Sequence, residues 1–280
     1  LEQSTGVIVA TQAEKDLHRA KRQAHRALKR NQPAPVVATD PAGPVDCACV
    51  IHGNGYDFTY VDRLYNMLNR HLSRGARLHV YTEAGRSVPA HMIRHDLTEW
   101  PGVSGRKRSW WYKMQLFNSE HFRGQLLYFD LDTVIVSNID WIVNLSPVFF
   151  WTLRDFRSLW RPDLQTMNSS VMYWNTENWN TIWTQFQQQG IERIGIRHQH
   201  GGDQDYLNTV IPAHKRRFLD ENRVVSWRWT ALDGGMNFRN RTYHRPGRGT
   251  ILSPTNSVLV FHGDPKPHEV DDVLIKSHWI

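Results

Sequence analysis

Between Leu126 and Val136 the chain reads Leu126-Leu-Tyr-Phe-Asp130-Leu-Asp132-Thr-Val-Ile-Val136, an apolar run broken only by two carboxylates one residue apart. Gly124-Gln-Leu-Leu-Tyr-Phe-Asp130 is too short and too apolar for an amphipathic helix and predicts a buried strand. Two carboxylates leaving such a strand repel each other and are costly there unless a cation offsets them. Magnesium and manganese favour oxygen ligands, and commonly take one or two protein carboxylates together with substrate phosphates. A pair of loop-capping aspartates is the bland alternative.

The same strand sits in an alternating pattern. Asp46-Cys-Ala-Cys-Val-Ile-His52 predicts a strand that breaks at Gly53-Asn54-Gly55, after which Val61, Leu64, Tyr65, Leu68 and Leu72 recur at helical spacing. Arg77–Tyr81, Ser169–Trp174 and Ser257–Phe261 predict further strands. Trp110–Phe117 and about Glu177 to Gln189 predict helices. Strand and helix in this rhythm imply an α/β domain with a mainly parallel sheet, in which ligands bind beyond the carboxyl ends of the strands.

Within 280 residues, no apolar run approaches the roughly 20 residues of a membrane span. No charged stretch followed by an apolar one reads as a secretory leader. Cys47 and Cys49 point to one face of a strand and are poorly placed to bridge. The expectation is a soluble, cytoplasmic protein with two buried thiols. The net charge of +7 is concentrated rather than general. From Thr11 to Arg30, Lys15, Arg19, Lys21, Arg22, Arg26, Lys29 and Arg30 face only Glu14 and Asp16, and the rest of the chain is nearly balanced, which argues against nucleic acid as a partner. That segment reads as a solvated basic helix, with peripheral attraction to an anionic membrane or a protein as the functional alternative. A Pro- and Ala-rich linker to Pro44 follows, so residues 1–44 are expected to form a helical segment and tether, and 45–280 the folded domain.

Two enzyme classes share the local Asp-x-Asp pattern. Phe129-Asp-Leu-Asp-Thr133 resembles the nucleophile motif of haloacid-dehalogenase-type phosphatases, with Asp130 as nucleophile and a late acidic motif approximated by Asp264 and Asp271. That motif opens its domain, whereas here some eighty residues of α/β pattern precede it. The second class matches at more positions. Ile51-His-Gly-Asn-Gly-Tyr56, Trp111-Tyr-Lys113, Asp130-Leu-Asp132, Asn168-Ser-Ser-Val-Met-Tyr-Trp-Asn175, Gly202-Asp-Gln-Asp-Tyr-Leu-Asn208 and Phe261-His262-Gly263 with Lys266-Pro267 occur in this order from Val45 to His268. The set resembles glycosyltransferase family 8 and related bacterial glycan-synthesis transferases, which have the GT-A fold.

The resemblance implies a Mn2+ or Mg2+ ion held by Asp130, Asp132 and His262, with Lys266 on the diphosphate and His52, Asn54 and Tyr56 around the nucleotide. It implies that Lys113, Asn168, Asp203 and Gln204 meet the donor sugar, the last near the anomeric carbon. For several of these a structural reading competes: a hydrogen-bonded strand-end His262, a Gly-Asn-Gly turn, and Asp203 as the N-cap of a helix beginning at Gln204. Four positions depart from the family pattern: Lys113 stands where Arg is usual, His268 follows Lys-Pro in place of Trp, and His52 and Gly53 replace acidic residues. The implied reaction is transfer of a hexose, galactose or glucose, from a UDP-sugar to a glycan, lipid-linked glycan or other hydroxyl acceptor, with retention. A non-catalytic nucleotide- or glycan-binding protein is the remaining alternative. Twelve tryptophans are many for this length, and a few are expected to meet an acceptor while the rest pack in the core.

Overall fold

Residues 36–37, 42–103, 108–198, 201–232, 236–237, 242–243 and 249–280 are described by the computed structural model. The basic segment and nearly all of the linker lie outside them. Val36–Ile280 forms a single compact unit. In chain order its main elements begin with strand β1 (Val45–Ile51), helix α1 (Thr59–His71), β2 (Ala76–Thr82) and β3 (Ile93–Asp96). A 3-10 helix (Ser109–Phe117) leads to β4 (Gln125–Phe129), β5 (Thr133–Ile135), β6 (Phe150–Arg154) and β7 (Met167–Asn175). Helices α2 (Thr176–Gln189) and α3 (Gly202–Val210) then precede the short strands β8 (Arg216–Phe218), β9 (Val224–Ser226) and β10 (Val258–Val260).

Seven strands form one sheet in the order β8-β6-β7-β4-β1-β2-β3, and only β7 runs against the others. The expected α/β architecture with a mainly parallel sheet is therefore present. Its central strands are apolar on both faces because both faces are covered. Cys47, Cys49 and Ile51 of β1, Leu127 and Phe129 of β4, and Val171 and Tyr173 of β7 pack into one core with α1, β5 and β10. The intervening Ala48, Leu126, Tyr128, Met172 and Trp174 pack into a second core with the 3-10 helix, α2 and α3. The two-residue period of the strands thus divides the apolar residues between two layers. Both cysteines are free and buried on one face.

Two differences from the sequence reading have physical causes. Trp110–Phe117 was expected as a helix and is a nine-residue 3-10 segment, Ser109–Phe117. Every residue from Trp111 to Phe117 is buried, so no polar face favours the α-helical period over the tighter winding. In a second, three-stranded sheet, β9-β10-β5, only β10 was expected, within Ser257–Phe261; β5 and β9, of three residues each, carry no clear signal of their own. The chain passes from the large sheet into this small one between Phe129 and Thr133, and Asp130 and Asp132 stand at the crossing.

One buried polar chain underlies β1 to β3. Arg77 holds Asp46 through Nε at 2.5 Å and Nη2 at 2.7 Å, Asp46 meets His79 Nε2 at 2.8 Å, and His79 Nδ1 meets His95 Nε2 at 2.8 Å. Tyr81 stacks on the His95 ring at 4.5 Å. Burial, with His79 and His121 nearby, pushes the His95 imidazole down to about 3 from 6.5. The unfolded chain takes up this proton near 6.5 and the folded chain holds out to about 3, so across that window stability falls as pH falls. Urea midpoints at about pH 7.5 and about pH 4.5 are expected to differ by more in the native chain than in His95→Gln, each pH unit costing up to about 1.4 kcal/mol. Equal pH slopes would show that His95 contributes nothing.

Candidate active site

Beyond the carboxyl ends of β1 and β4 lies a cavity of 570 Å³. Asp130 follows β4 directly, and its backbone N–H donates to Ser170 O at 2.8 Å, which fixes the strand end against β7. Tyr128 donates to Asp130 Oδ1 at 2.6 Å. Two residues on, Asp132 has entered the small sheet, and its carbonyl accepts from Phe261 N–H at 3.0 Å just past β10. Tyr56, on the loop after β1, donates to Asp132 Oδ2 at 3.0 Å.

Lysines neutralise both carboxylates. From the 3-10 helix, Lys113 Nζ lies 2.8 Å from Asp130 Oδ1 and 3.3 Å from Asp203 Oδ2, and it donates to Ser169 Oγ at 3.3 Å. Ser169 in turn donates to Asp203 Oδ2 at 2.6 Å. Burial alone would depress the Lys113 ammonium, but Asp130 and Asp203 outweigh it and leave its pKa above the ordinary value. Burial raises the Asp203 carboxyl despite Lys113. Lys266 donates to Asp132 Oδ2. The short turn Pro267–Glu269 aims it there, with Lys266 N–H donating to Glu269 Oε2 at 2.6 Å. The Asp132 carboxyl is raised by burial, pulled back by Lys266 and raised again by Asp130.

Most residues expected at the site do line the cavity: His52, Asn54, Tyr56, Lys113, Asp130, Asp132, Asp203, Gln204 and Lys266. Asp203 is not a helix N-cap. The helix starts at Gly202 without a side-chain cap, and the Asp203 carboxylate is spent on Lys113 and Ser169. Asn168 does not line the cavity, because its side-chain oxygen folds back to accept from Ser170 N–H at 3.0 Å. Ser169 and Ser170 line it instead. Trp110, left without a role by the sequence reading, and Asp264, named there only for the phosphatase alternative, are further lining residues. Trp110 packs on Gly202, where a Cβ would come within 2.4 Å of its Nε1, so only glycine permits that approach. Two buried polar atoms on the wall, His52 Nδ1 and Trp110 Nε1, have no hydrogen-bond partner, and such atoms in a cavity are poised for a ligand. Tyr112 stacks on the His52 ring at 4.1 Å, and Glu99 meets its Nε2 at 3.1 Å.

The expected metal ligands come together only in part. Asp130 Oδ2 and Asp132 Oδ1 accept no hydrogen bond among the described residues, which leaves each carboxylate one oxygen for a cation, and two carboxylates suffice for a magnesium-type site completed by phosphates. His262 does not join them, and no three metal-ligating side chains converge among the described residues. Its Nε2 meets Ser226 Oγ at 2.7 Å, and its ring lies between Phe156 at 4.9 Å and Trp229 at 4.4 Å. Burial pushes that imidazole down to about 3. The phosphatase alternative also loses its support. Asp130 ends the fourth strand of the large sheet in chain order rather than the first, and Asp271 is at the surface, 2.5 Å from Lys276.

No protein-family model matches the chain, and no curated protein matches its sequence. Solved structures match its fold. The galactosyltransferase LgtC in complex with donor and acceptor sugar analogues is 14% identical, with a TM-score of 0.57 over 84% of this chain and 97% of that one. An active-site mutant of LgtC is 14% identical, with a TM-score of 0.59 over 82% and 91%. The glycosyltransferase GlyE of Streptococcus pneumoniae TIGR4 is 15% identical, with a TM-score of 0.56 over 85% of this chain and 60% of its own. The likeness shows that this chain has the GT-A fold.

Removing Lys113 strands Asp130 and Asp203 in a buried setting. Lys113→Met is expected to cost about 3–5 kcal/mol of stability by urea denaturation, as for other broken buried pairs, and Lys113→Arg far less. A native midpoint in Lys113→Met would show that the two carboxylates do not depend on it.

Proposed function

We propose that this GT-A chain is a divalent-cation-dependent glycosyltransferase that moves a hexose, galactose or glucose, from a UDP-sugar to a hydroxyl of a glycan, lipid-linked glycan or other acceptor, with retention. The observation that carries this reading is the carboxylate pair Asp130 and Asp132 on the wall of the cavity at the carboxyl end of the sheet. Three carboxylates, Asp130, Asp132 and Asp203, line that cavity against two ammonium groups, Lys113 and Lys266, which leaves one negative charge in excess among these five. A nucleoside diphosphate adds more negative charge, so its entry calls for a cation. Asp130 and Asp132 would hold Mn2+ or Mg2+, whose Lewis acidity offsets charge on the departing diphosphate.

The chain's own residues supply the remainder. Lys266, released from Asp132 as the phosphates arrive, places a compact positive charge on the leaving group. His52 offers Nδ1 to the base, and Asn54 and Tyr56 flank the nucleotide. Lys113 and Asp203 orient the sugar hydroxyls, and Gln204 lies beside the anomeric carbon. The acceptor hydroxyl then attacks an oxocarbenium-like sugar, and its proton leaves on the diphosphate oxygen, so no separate base is required. Asn168 acts through Ser170 rather than on the sugar. In this reading residues 45–280 carry the chemistry in the cytoplasm, and the basic segment before Pro44 tethers it to an anionic membrane or a protein.

Asp130→Asn and Asp132→Asn are expected to abolish transfer while circular dichroism stays native. Calorimetric titration with nucleoside diphosphates should show UDP binding tightest with Mn2+ and weakly after chelation. Tight binding of GDP or CMP instead would overturn the donor assignment. UDP binding with no turnover of any UDP-sugar would favour the non-catalytic alternative.

A further inference from the structure

Two donors, Tyr56 and Lys266, converge on one oxygen of Asp132, and both reach it from loops. Side chains on loops keep such a convergence only where a rigid element fixes them from behind. The element that touches both loops is α1, through Tyr60, its second residue, which is buried. The Tyr60 ring packs on the Tyr56 ring at 4.6 Å and 55°. Its hydroxyl bonds Nδ1 of His268, the middle residue of the turn Pro267–Glu269 that Lys266 opens.

The direction of that bond follows from its surroundings. Burial, with Asp132 and Glu269 nearby, raises the Tyr60 phenol above its ordinary value, so the hydroxyl keeps its proton. His268 Nδ1 is its only hydrogen-bond partner among the described residues, so Tyr60 donates and the imidazole accepts. On the other side of the ring, Trp279 meets Tyr60 edge-on at 4.9 Å, and the Arg63 guanidinium lies 3.8 Å over the Trp279 ring. Of the residues in this clamp only Tyr56 and Lys266 line the cavity. His268 also stands where tryptophan is usual in the family pattern, and an indole has no acceptor to offer a phenol. The tie between Tyr60 and His268 therefore belongs to this chain's own sequence.

We propose that Tyr60 is a positioning residue for Lys266: tied to His268, it holds the backbone from which the Lys266 ammonium reaches the diphosphate of a nucleotide donor. This deepens the transferase reading and rests on it. In that reading Lys266 exchanges an oxygen of Asp132 for one of a phosphate. A lysine whose backbone is already fixed gives up less freedom in doing so than one on an unsecured loop. Tyr60 itself touches neither Asp132 nor the cavity, and acts through the turn.

Calorimetric titration with UDP and Mn2+ tests this, with circular dichroism as the check on folding. Tyr60→Phe keeps the ring on Tyr56 and Trp279 and removes only the hydroxyl. It is expected to weaken UDP about fivefold, equivalent to about 1 kcal/mol, the worth of one such hydrogen bond. His268→Phe, at an exposed position, should cost as much, whereas His268→Asn, which puts a side-chain oxygen where Nδ1 stood, should stay near native. In a Lys266→Met background Tyr60→Phe should cost no more than about twofold, because a residue acting through Lys266 has nothing left to act on. A merely structural tyrosine would weaken binding by the same factor in both backgrounds. Native UDP affinity in Tyr60→Phe, equal losses in the two His268 variants, or an undiminished loss in the Lys266→Met background would overturn the positioning role and leave the transferase reading standing. If Tyr60→Phe does not fold, the His268 pair decides. Failure of the native chain to bind any nucleoside diphosphate would overturn the transferase reading, and the role of Tyr60 with it.

Discussion

Three carboxylates gathered at one end of a sheet cannot stay ionised in a buried setting without counter-charge, and Lys113 and Lys266 supply it. Each lysine arrives from a different part of the chain. Lys113 comes on the 3-10 helix and joins the end of β4 to Ser169 of β7 and Asp203 of α3. Lys266 comes on the loop after β10 and closes on Asp132, which lies between the two sheets. The cavity wall is therefore complete only when both sheets and both helical layers are in place. Net stability from such ion pairs is small, since desolvation cancels much of the attraction, but breaking one is expensive.

That asymmetry matters for ligand binding. Lys266 and Tyr56 converge on one oxygen of Asp132, as Lys113 and Tyr128 do on one oxygen of Asp130, so in each case the second oxygen stays available. The protein offsets part of the charge and leaves a negative residue on the wall. In the proposed reading this residue is what makes donor and cation arrive together, because either one alone leaves the charge unbalanced. The orphaned His52 Nδ1 and Trp110 Nε1 extend the same logic to polar atoms that pair only when something enters.

The long strands and amphipathic α1 were legible because apolar runs and helical spacing report burial directly, and Leu126–Val136 pointed to two carboxylates that line the cavity. What could not be read was side-chain direction in loops. His262 follows a strand as a metal ligand might, yet Ser226 and two aromatic rings, distant in sequence, hold it, and it forms no three-ligand cluster with the carboxylates. Asn168 is the second residue of β7, but the backbone amide two residues on captures its side chain. Short strands such as β5, β8 and β9 form because neighbours template them, and three residues hold no period of their own. The charge-bearing positions were therefore found mostly by residue type, and their partners only by the fold.

Strand β10 connects these findings. It pairs with β5 on one side and β9 on the other, so the loop that leaves it is fixed from both flanks. Along that loop His262 turns toward Trp229, Gly263 admits Arg228, and Lys266 turns back to Asp132 within five residues. The lysine that meets the carboxylates and the histidine that does not thus leave one short segment anchored by strands on both flanks, so the register of β10 sets both.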